Sequence, residues 1–403
     1  MNRITQCLHG KGTISGMMHQ RKNGGNGSRG EYLAYAADYR PVIFWNLTNR
    51  CNLNCIHCYN RSGPGNGTPN ELTTEEASAV IDDLATMGVP LILFTGGEPL
   101  LREDIWILAD HARRRGIMTA LSTNGTLITP DVAEEIKATG IGYAGISLDG
   151  ATAETHNRFR GTPDAFERAI AAFAHCREAG VRCGVRVTLT TENYAELPAL
   201  IDLAEEIGAS RFCLYWLVPS GRGIDTYKHL QLSGDEVNNA LTLLYKRAKE
   251  TDPKRMEFLT VDSPQDAIHL LAAMKRENAD DIAEAEELVA SLKGGCSAGT
   301  RVANIDHEGS VYPCQFAQTD ELRVGSVRDQ PFSRIWDAAD HPILSIFRQA
   351  SPALTGHCGN CRYIALCGGG CRVRALRLSG DIHAEDPFCF LNGDDRSLHS
   401  SDM

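Results

Sequence analysis

The sequence predicts an α/β fold, a parallel sheet assembled from βαβ units and followed by a smaller cysteine-rich domain. Three observations lead there. Short apolar runs alternate with amphipathic helical stretches six times between residues 42 and 217, the rhythm of parallel strands joined by helical crossovers. Most of the helical stretches stop at a glycine, which accepts the left-handed conformation that ends a helix. After Lys293 cysteine and glycine become dense and the rhythm ends. That change of texture marks a second domain, too poor in apolar runs to fold comfortably without metal.

The elements follow in order. Val42-Ile43-Phe44-Trp45-Asn46-Leu47 reads as the first buried strand, and Thr73 to Met87 as a helix. Thr73-x-x-Glu76 fits a capping box and Gly88 a C-terminal stop. Leu91–Thr95 is the second strand, Asp104–Arg115 a helix ending at Gly116, and Met118–Ser122 the third strand. Pro130–Thr139 is a helix ending at Gly140, before the fourth strand, Tyr143–Leu148. A helix from Asp164 stops at Gly180 before strand Val185–Leu189, and another over Ala195–Ile207 stops at Gly208 before strand Arg211–Leu217. Six such units fit either a doubly wound sheet or a partial barrel, and periodicity does not choose between them. The organisation expected is an N-terminal extension over 1–38, partly flexible because of Lys22-Asn23-Gly24-Gly25-Asn26-Gly27-Ser28. It is followed by a core over 39–225, a helical bridge over 226–294, the cysteine-rich domain over 295–393 and a tail over 394–403.

Composition narrows the function. Lys plus Arg number 40 and Asp plus Glu 51, a net charge of −11, which argues against nucleic acid as a partner. The longest basic run, Arg113-Arg114-Arg115, reads as the solvated end of a helix. No stretch approaches the roughly 18 apolar residues of a membrane helix, and no apolar segment follows Met1-Asn2-Arg3-Ile4-Thr5 to suggest a secretory signal. A cytoplasmic location is therefore expected. Fourteen cysteines in such a chain point to metal rather than to disulfides.

The first chemical motif is Cys51-Asn52-Leu53-Asn54-Cys55-Ile56-His57-Cys58, on the loop at the C-terminal end of the first strand. Active sites of parallel α/β sheets gather at that edge. Three thiolates within eight residues can wrap one [4Fe–4S] cluster and leave its fourth iron open to a small molecule. Zinc is the bland alternative, with His57 as fourth ligand. Placing that histidine inside the Cys-x2-Cys arm strains simultaneous ligation, so iron–sulfur is preferred.

Cys51-x3-Cys55-x2-Cys58 after a strand, with the aromatic Tyr59 behind it, resembles the signature of radical S-adenosylmethionine (SAM) enzymes. The later strand ends carry matching motifs: Thr95-Gly96-Gly97-Glu98-Pro99, Ser122-Thr123-Asn124-Gly125 and Ser147-Leu148-Asp149-Gly150. Each alone would pass for a capping turn; three in register with the cysteine loop are harder to dismiss. The resemblance implies a partial (β/α)6 barrel in which Gly96, Gly97, Glu98 and Pro99 present backbone groups to the amino end of SAM. It also implies that Ser122, Asn124 and Ser147 bind SAM's ribose or carboxylate, that Asp149 contacts SAM or substrate, and that Arg160 pairs with SAM's carboxylate.

The second constellation is Cys296, then Gly309-x4-Cys314, then Cys358-x2-Cys361-x5-Cys367-x3-Cys371, and finally Cys389. It resembles the SPASM extension of radical SAM enzymes at all seven cysteines. The resemblance implies two auxiliary [4Fe–4S] clusters, three in all. One would sit on Cys358, Cys361, Cys367 and Cys389, the other on Cys296, Cys314 and Cys371. Some family members have a further cysteine shortly after the first, but Ser297 to Val302 contains none. The second cluster is thus one ligand short, its open iron expected to bind substrate or water, with His307 as the candidate fourth ligand. Of the other four cysteines, Cys176, Cys183 and Cys213 read as inert buried thiols, and Cys7 is unassigned.

The mechanism implied is one-electron cleavage of SAM to methionine and a 5′-deoxyadenosyl radical, fed by a donor such as ferredoxin or flavodoxin. No residue is assigned as a catalytic acid or base. Phe44-Trp45-Asn46-Leu47-Thr48, Leu217-Val218-Pro219-Ser220-Gly221-Arg222-Gly223 and Ala384-Glu385-Asp386-Pro387 resemble the branch that trims side chains from siroheme-derived tetrapyrroles on the way to haem and haem d1. That resemblance, from about residue 40 to 391, implies removal of an acetate or propionate, with Arg222 and Arg211 as partners for substrate carboxylates. A peptide-modifying SPASM maturase is the second reading, and a non-enzymatic zinc or electron-transfer protein the third.

Overall fold

The computed structural model describes residues 2–10, 13, 40–279, 281–291, 295–349 and 353–392. The glycine-rich Lys22–Ser28 stretch, most of the expected N-terminal extension and the tail expected from Asp394 lie outside the described residues. Among the described residues one sheet of ten strands organises the fold. They are β1 (Val42–Asn46), β2 (Leu91–Thr95), β3 (Met118–Thr123), β4 (Ala144–Ser147), β5 (Cys183–Leu189), β6 (Arg211–Trp216), β7 (Glu257–Val261), β8 (Val302–Ile305), β9 (Ser310–Tyr312) and β10 (Gly325–Ser326). Their spatial order is β10-β9-β8-β1-β2-β3-β4-β5-β6-β7. From β1 to β7 every neighbour is the next strand in sequence and every pairing is parallel. This is the barrel-type order; a doubly wound sheet would reverse direction partway. The sheet is open, with β7 and β10 as its edges.

The helices form where their ends are chemically satisfied. Thr73 accepts from the Glu76 amide at 3.2 Å while its own N–H donates to the Glu76 carboxylate at 2.8 Å. Gly88, at φ 81°, closes the same helix, Thr74–Met87. Within the strands the two-residue alternation divides the faces. Ile43 and Trp45 of β1, Leu47 just after it, and Val185, Val187 and Leu189 of β5 join the buried core with the helices. Phe44, Arg186 and Thr188 line a cavity on the other face.

Three expectations are corrected. The bridge over 226–294 is not purely helical, because it contains β7, a five-residue run too short to stand out between its helices. The helix Ala153–Arg160 was not foreseen. Its polar sequence hides the periodicity, although Thr152 caps it and Gly161 ends it in the left-handed conformation. The cysteine-rich segment does not stand apart: β8 pairs in parallel with β1, from Val42 opposite Val302 to Trp45 opposite Ile305, and β9 and β10 continue antiparallel. The first residues are also docked. Asn2 bridges to Thr260 on the open edge of β7, N–H to O=C at 2.7 and 3.0 Å, and Thr5 accepts from the Phe258 amide. Among the described residues no helix is long and apolar enough to cross a membrane.

Asn304 fixes β8 to β1, donating from Nδ2 to the Phe44 carbonyl at 2.7 Å and to Asn46 Oδ1 at 2.6 Å. It is fully buried. Asn304→Ala leaves those acceptors unsatisfied, which costs about 1–3 kcal/mol. A denaturant titration of the protein should show an earlier midpoint; an unchanged midpoint would refute this role for the side chain.

Candidate functional site

The loop after β1 is built around three thiols and tied to the sheet from several sides. Gly97 N–H donates to the Thr48 carbonyl at 2.7 Å and Glu98 N–H to the Arg50 carbonyl at 2.8 Å. Glu71 accepts from Thr48 Oγ1 and the Asn49 amide. The far side of the loop hangs from the helix Ala153–Arg160, through Asn54 N–H to the Arg160 carbonyl and Ile56 N–H to the Phe159 carbonyl, both 3.2 Å. The approach is so close that a Cβ on Gly97 would lie 2.1 Å from the Arg50 carbonyl oxygen, and one on Gly96 (φ 144°) 2.6 Å from that of Thr48. The two glycines therefore hold the cysteine loop in place as much as they leave room for a ligand.

A cavity of about 1070 Å³, counted to its open mouth, lies over the C-terminal ends of the parallel strands. Of the expected site residues, Cys51, Cys55, Cys58, Gly96, Gly97, Ser122, Asn124, Ser147 and Arg160 line it, and Glu98, Pro99 and Asp149 do not. Glu98 turns inward and is fully buried. Its carboxylate accepts from Thr123 Oγ1 and the Asn124 amide at 2.8 Å each, and from the Leu100 amide at 3.2 Å. Its work is to pin the β3 turn beneath the cysteine loop. Asp149 is likewise buried, accepting from the Thr188 amide at 2.7 Å, and it forms an ion pair with Arg160. Arg160, expected to meet SAM's carboxylate, thus already has a carboxylate partner and also donates to Cys55 Sγ at 3.6 Å.

The two arginines expected to meet substrate are corrected as well. Arg211, at the start of β6, is paired with Glu257 at 3.2 Å and is not part of the cavity wall. Arg222 lines the cavity, but its guanidinium clamps the loop by donating to the carbonyls of Cys55 at 2.7 Å and Ser62 at 3.0 Å. Residues that sequence reasoning missed include Arg186 and Thr188 on β5, Tyr215 on β6, and Asp262, Gln315 and Phe316. An arginine and a threonine alternating with Val185, Val187 and Leu189 were the available signal.

The thiols suit a metal cluster. Burial pushes Cys51 up to about 12, so without a cation it stays protonated, and a metal would convert it to the thiolate. N–H groups already face the sulfurs: Leu53 N–H donates to Cys51 Sγ at 3.4 Å, Asn124 Nδ2 approaches the same atom at 4.0 Å, and Arg160 approaches Cys55. Such donors stabilise negative charge on cluster sulfur and set its potential. Each thiol lies within electrostatic reach of the others. Yet among the described residues no three His, Cys, Asp or Glu side chains are grouped to hold a single metal ion. His57 packs its ring against Phe159, centroids 4.4 Å apart.

The C-terminal thiols fall into two groups. Cys358, Cys361, Cys367 and Cys389 line one cavity of about 350 Å³. Gln265 faces it too, fully buried with Nε2 unpartnered. Cys296, Cys314 and Cys371 lie together in a separate apolar cluster with Val218, next to the large cavity that Val218, Gln315 and Phe316 line. His307 is not with them. The register of Asn304 opposite Tyr312 places His307 in the turn between β8 and β9 and Cys314 beyond the other end of β9. His307 is instead at the Leu72 loop, where its carbonyl accepts from the Leu72 amide at 2.8 Å. Cys7, Cys176, Cys183 and Cys213 are all buried and line neither of these two cavities.

The chain matches the model of the radical SAM superfamily over residues 45–204 and that of the SPASM iron–sulfur cluster-binding domain over residues 296–362. It is 38% identical over 364 residues to the Fe-coproporphyrin III synthase of Methanosarcina barkeri, covering 89% of this chain and 90% of that one. It is 39% identical over 356 residues to the pre-heme d1 synthase of Dinoroseobacter shibae, covering 87% and 86%. The mycofactocin maturase MftC of Mycobacterium tuberculosis is 34% identical over 351 residues, covering 86% and 82%. Among solved structures, Streptococcus suis SuiB bound to S-adenosylmethionine has the same fold, with a TM-score of 0.67 over 93% of this chain and 85% of that one at 18% identity.

The Gly97 contact gives a direct test. Gly97→Ala is expected to push Arg50 and Cys51 off the β2 turn and to reduce iron by about four atoms per chain, one cubane, while the C-terminal thiols keep theirs. Full iron retention in anaerobically purified protein would show that the loop yields without cost.

Proposed function

The chain belongs to the radical SAM superfamily and carries a SPASM domain, and from that premise we propose that it removes a carboxylate side chain, acetate or propionate, from a siroheme-derived iron tetrapyrrole in haem or haem d1 biosynthesis. The observation that carries the reading is the convergence of Cys51, Cys55 and Cys58 with Gly96, Gly97, Ser122, Asn124 and Ser147 on one cavity. The names of the relatives at 38% and 39% identity favour a tetrapyrrole. The maturase at 34% keeps a peptide as the second reading. The aromatic walls also favour a flat macrocycle: Phe44, Tyr59, Tyr215, Trp216 and Phe316 all face the cavity.

In this reading Cys51, Cys55 and Cys58 would hold the cluster at which SAM binds. Bound there and reduced, such a cluster would supply one-electron reductive cleavage of SAM, the source of the radical chemistry directed at the substrate. The protein's own part is positional. Gly96 and Gly97 leave backbone within reach of SAM's amino end, and Ser122, Asn124 and Ser147 offer hydroxyl and amide groups along the strand ends. Asp149, buried behind the wall, neutralises Arg160 and orients its N–H toward Cys55. Cys358, Cys361, Cys367 and Cys389 would hold one auxiliary cluster, and Cys296, Cys314 and Cys371 the other, beside the substrate space. A reduced ferredoxin or flavodoxin suits the role of electron donor, and a reducing cytoplasm suits the thiol count.

Anaerobic protein should carry about twelve irons per chain, as three cubanes require. With dithionite it should convert SAM to 5′-deoxyadenosine and shorten didecarboxysiroheme or a related iron porphyrinoid, read by mass spectrometry. SAM cleavage with no tetrapyrrole change, repeated across such substrates, would move the assignment to a peptide. Cys51→Ser should abolish 5′-deoxyadenosine formation while about eight irons remain; cleavage at the wild-type rate would sink the assignment of that loop.

A further inference from the structure

Three arginines line the large cavity, and two are committed to the protein. Arg160 is paired with Asp149, and Arg222 is spent on the carbonyls of Cys55 and Ser62. Arg186 is different. It sits on β5 opposite Ser147 of β4 and Cys213 of β6, and its guanidinium forms no ion pair or hydrogen bond among the described residues. Its guanidinium stacks on the Tyr215 ring, 4.6 Å from the centroid. Its stem lies over Gly145, where a Cβ would come within 2.6 Å of Arg186 Cδ. Glycine in β4 and tyrosine in β6 therefore build a slot that holds this side chain against the cavity wall.

A guanidinium does not give up its proton in a protein, and this one, half-buried at the cavity, has given up part of its hydration without gaining an ion-pair partner, which is destabilising. Asp262 faces the same cavity and is influenced by the charge of Arg186, yet the two form no ion pair. Stacking on Tyr215 offsets a fraction of the cost. The remainder is recovered when an anion enters. The bidentate fork of arginine fits a carboxylate, and two carboxylates are expected here, that of SAM and those of the substrate. Gly96 and Gly97 lie after β2, three strand spacings from β5, about 14 Å. Arg186 lies beside Ser147 of β4, but its guanidinium turns the other way, onto Tyr215 of β6, the strand that leads to Leu217 and Val218.

We infer that Arg186 is the anchor for a carboxylate of the substrate, fixing which side chain of the macrocycle faces the reacting centre. This rests on the tetrapyrrole reading above. The Tyr215 ring and the unpaired fork together recognise a flat, anionic molecule by one edge, so the substrate class is a planar macrocycle with peripheral carboxylates. Arg186 is a specificity-determining residue in this scheme, and the chemistry is left to the cofactor.

The test is a binding titration on the anaerobic, cluster-loaded full chain. Fe-coproporphyrin III and its methyl ester are titrated separately, following the Soret band, with SAM binding measured by equilibrium dialysis. Wild type should bind the free acid about tenfold or more tighter than the ester, the range of one charge-assisted pair. Arg186→Met should lose that preference, weakening the acid to the level of the ester while SAM affinity holds. Arg186→Lys should recover it in part, because it restores charge but not the fork. Iron content and the spectra of the reduced clusters confirm that each variant folds. Undiminished preference for the acid in Arg186→Met overturns the anchor and leaves the tetrapyrrole reading intact. Weakened SAM binding with unchanged porphyrin binding also overturns it, and assigns the arginine to SAM's carboxylate. Wild type that binds neither porphyrin overturns the functional reading itself.

Discussion

The pairing of β8 with β1 is the constraint on which the rest of this molecule depends. A cysteine-rich segment with few apolar runs has little core of its own, and here it borrows one by lengthening the parallel sheet. Backbone hydrogen bonds from Val42 to Trp45 and the buried Asn304 amide make the segment continuous with the strand that launches the first cysteine loop. The strand carrying Cys51 at its end and the strand leading to Cys314 are therefore held in one rigid frame. Rigid placement matters because electron transfer and radical chemistry both depend on fixed separations and exclusion of water.

A second set of bonds joins the segment to the far side of the sheet. Arg374 is fully buried and pairs with Asp386 at 2.8 Å, while also reaching the Asp262 carbonyl at 3.1 Å. Asp386 accepts in turn from the Cys371 amide. One ion pair thereby connects a cysteine of the apolar thiol group to the end of β7. The Asp149–Arg160 pair does the same for the N-terminal loop. Buried pairs of this kind contribute little net stability against an apolar alternative, but removing one partner leaves a charge stranded. Their value is in fixing geometry, and Arg186 stands out because it lacks that arrangement.

Burial also explains why so many thiols are tolerated. The resting thiols are pushed up, to about 12 for Cys367 and Cys371 and about 11 for Cys389, so the metal-free chain holds them neutral in an apolar setting. Binding iron exchanges those protons for a cluster. Folding of the C-terminal segment and loading of its clusters are thus linked equilibria.

Much of this was legible beforehand. The helix stops at Gly88, Gly116 and Gly140, the six strands and the Cys51, Cys55, Cys58 loop are local matters of periodicity, capping and spacing, and a sequence carries those directly. Cys358, Cys361, Cys367 and Cys389 line one cavity, although the first and last lie 31 residues apart in sequence. Other features were decided only by the tertiary structure, because they depend on which residues meet across distances the chain does not encode locally. β7 is five residues long and gains its identity from β6 beside it. His307 and Cys314 are seven residues apart in sequence, yet a hairpin register sends them to opposite ends. Glu98 and Asp149 sit in motifs beside the cavity but turn inward, since a buried backbone amide or guanidinium claims each carboxylate. Arg211 and Arg222 find partners within the protein, and Arg186, one of 40 basic residues in the sequence, faces the cavity stacked on Tyr215, its guanidinium without an ion pair or hydrogen bond among the described residues.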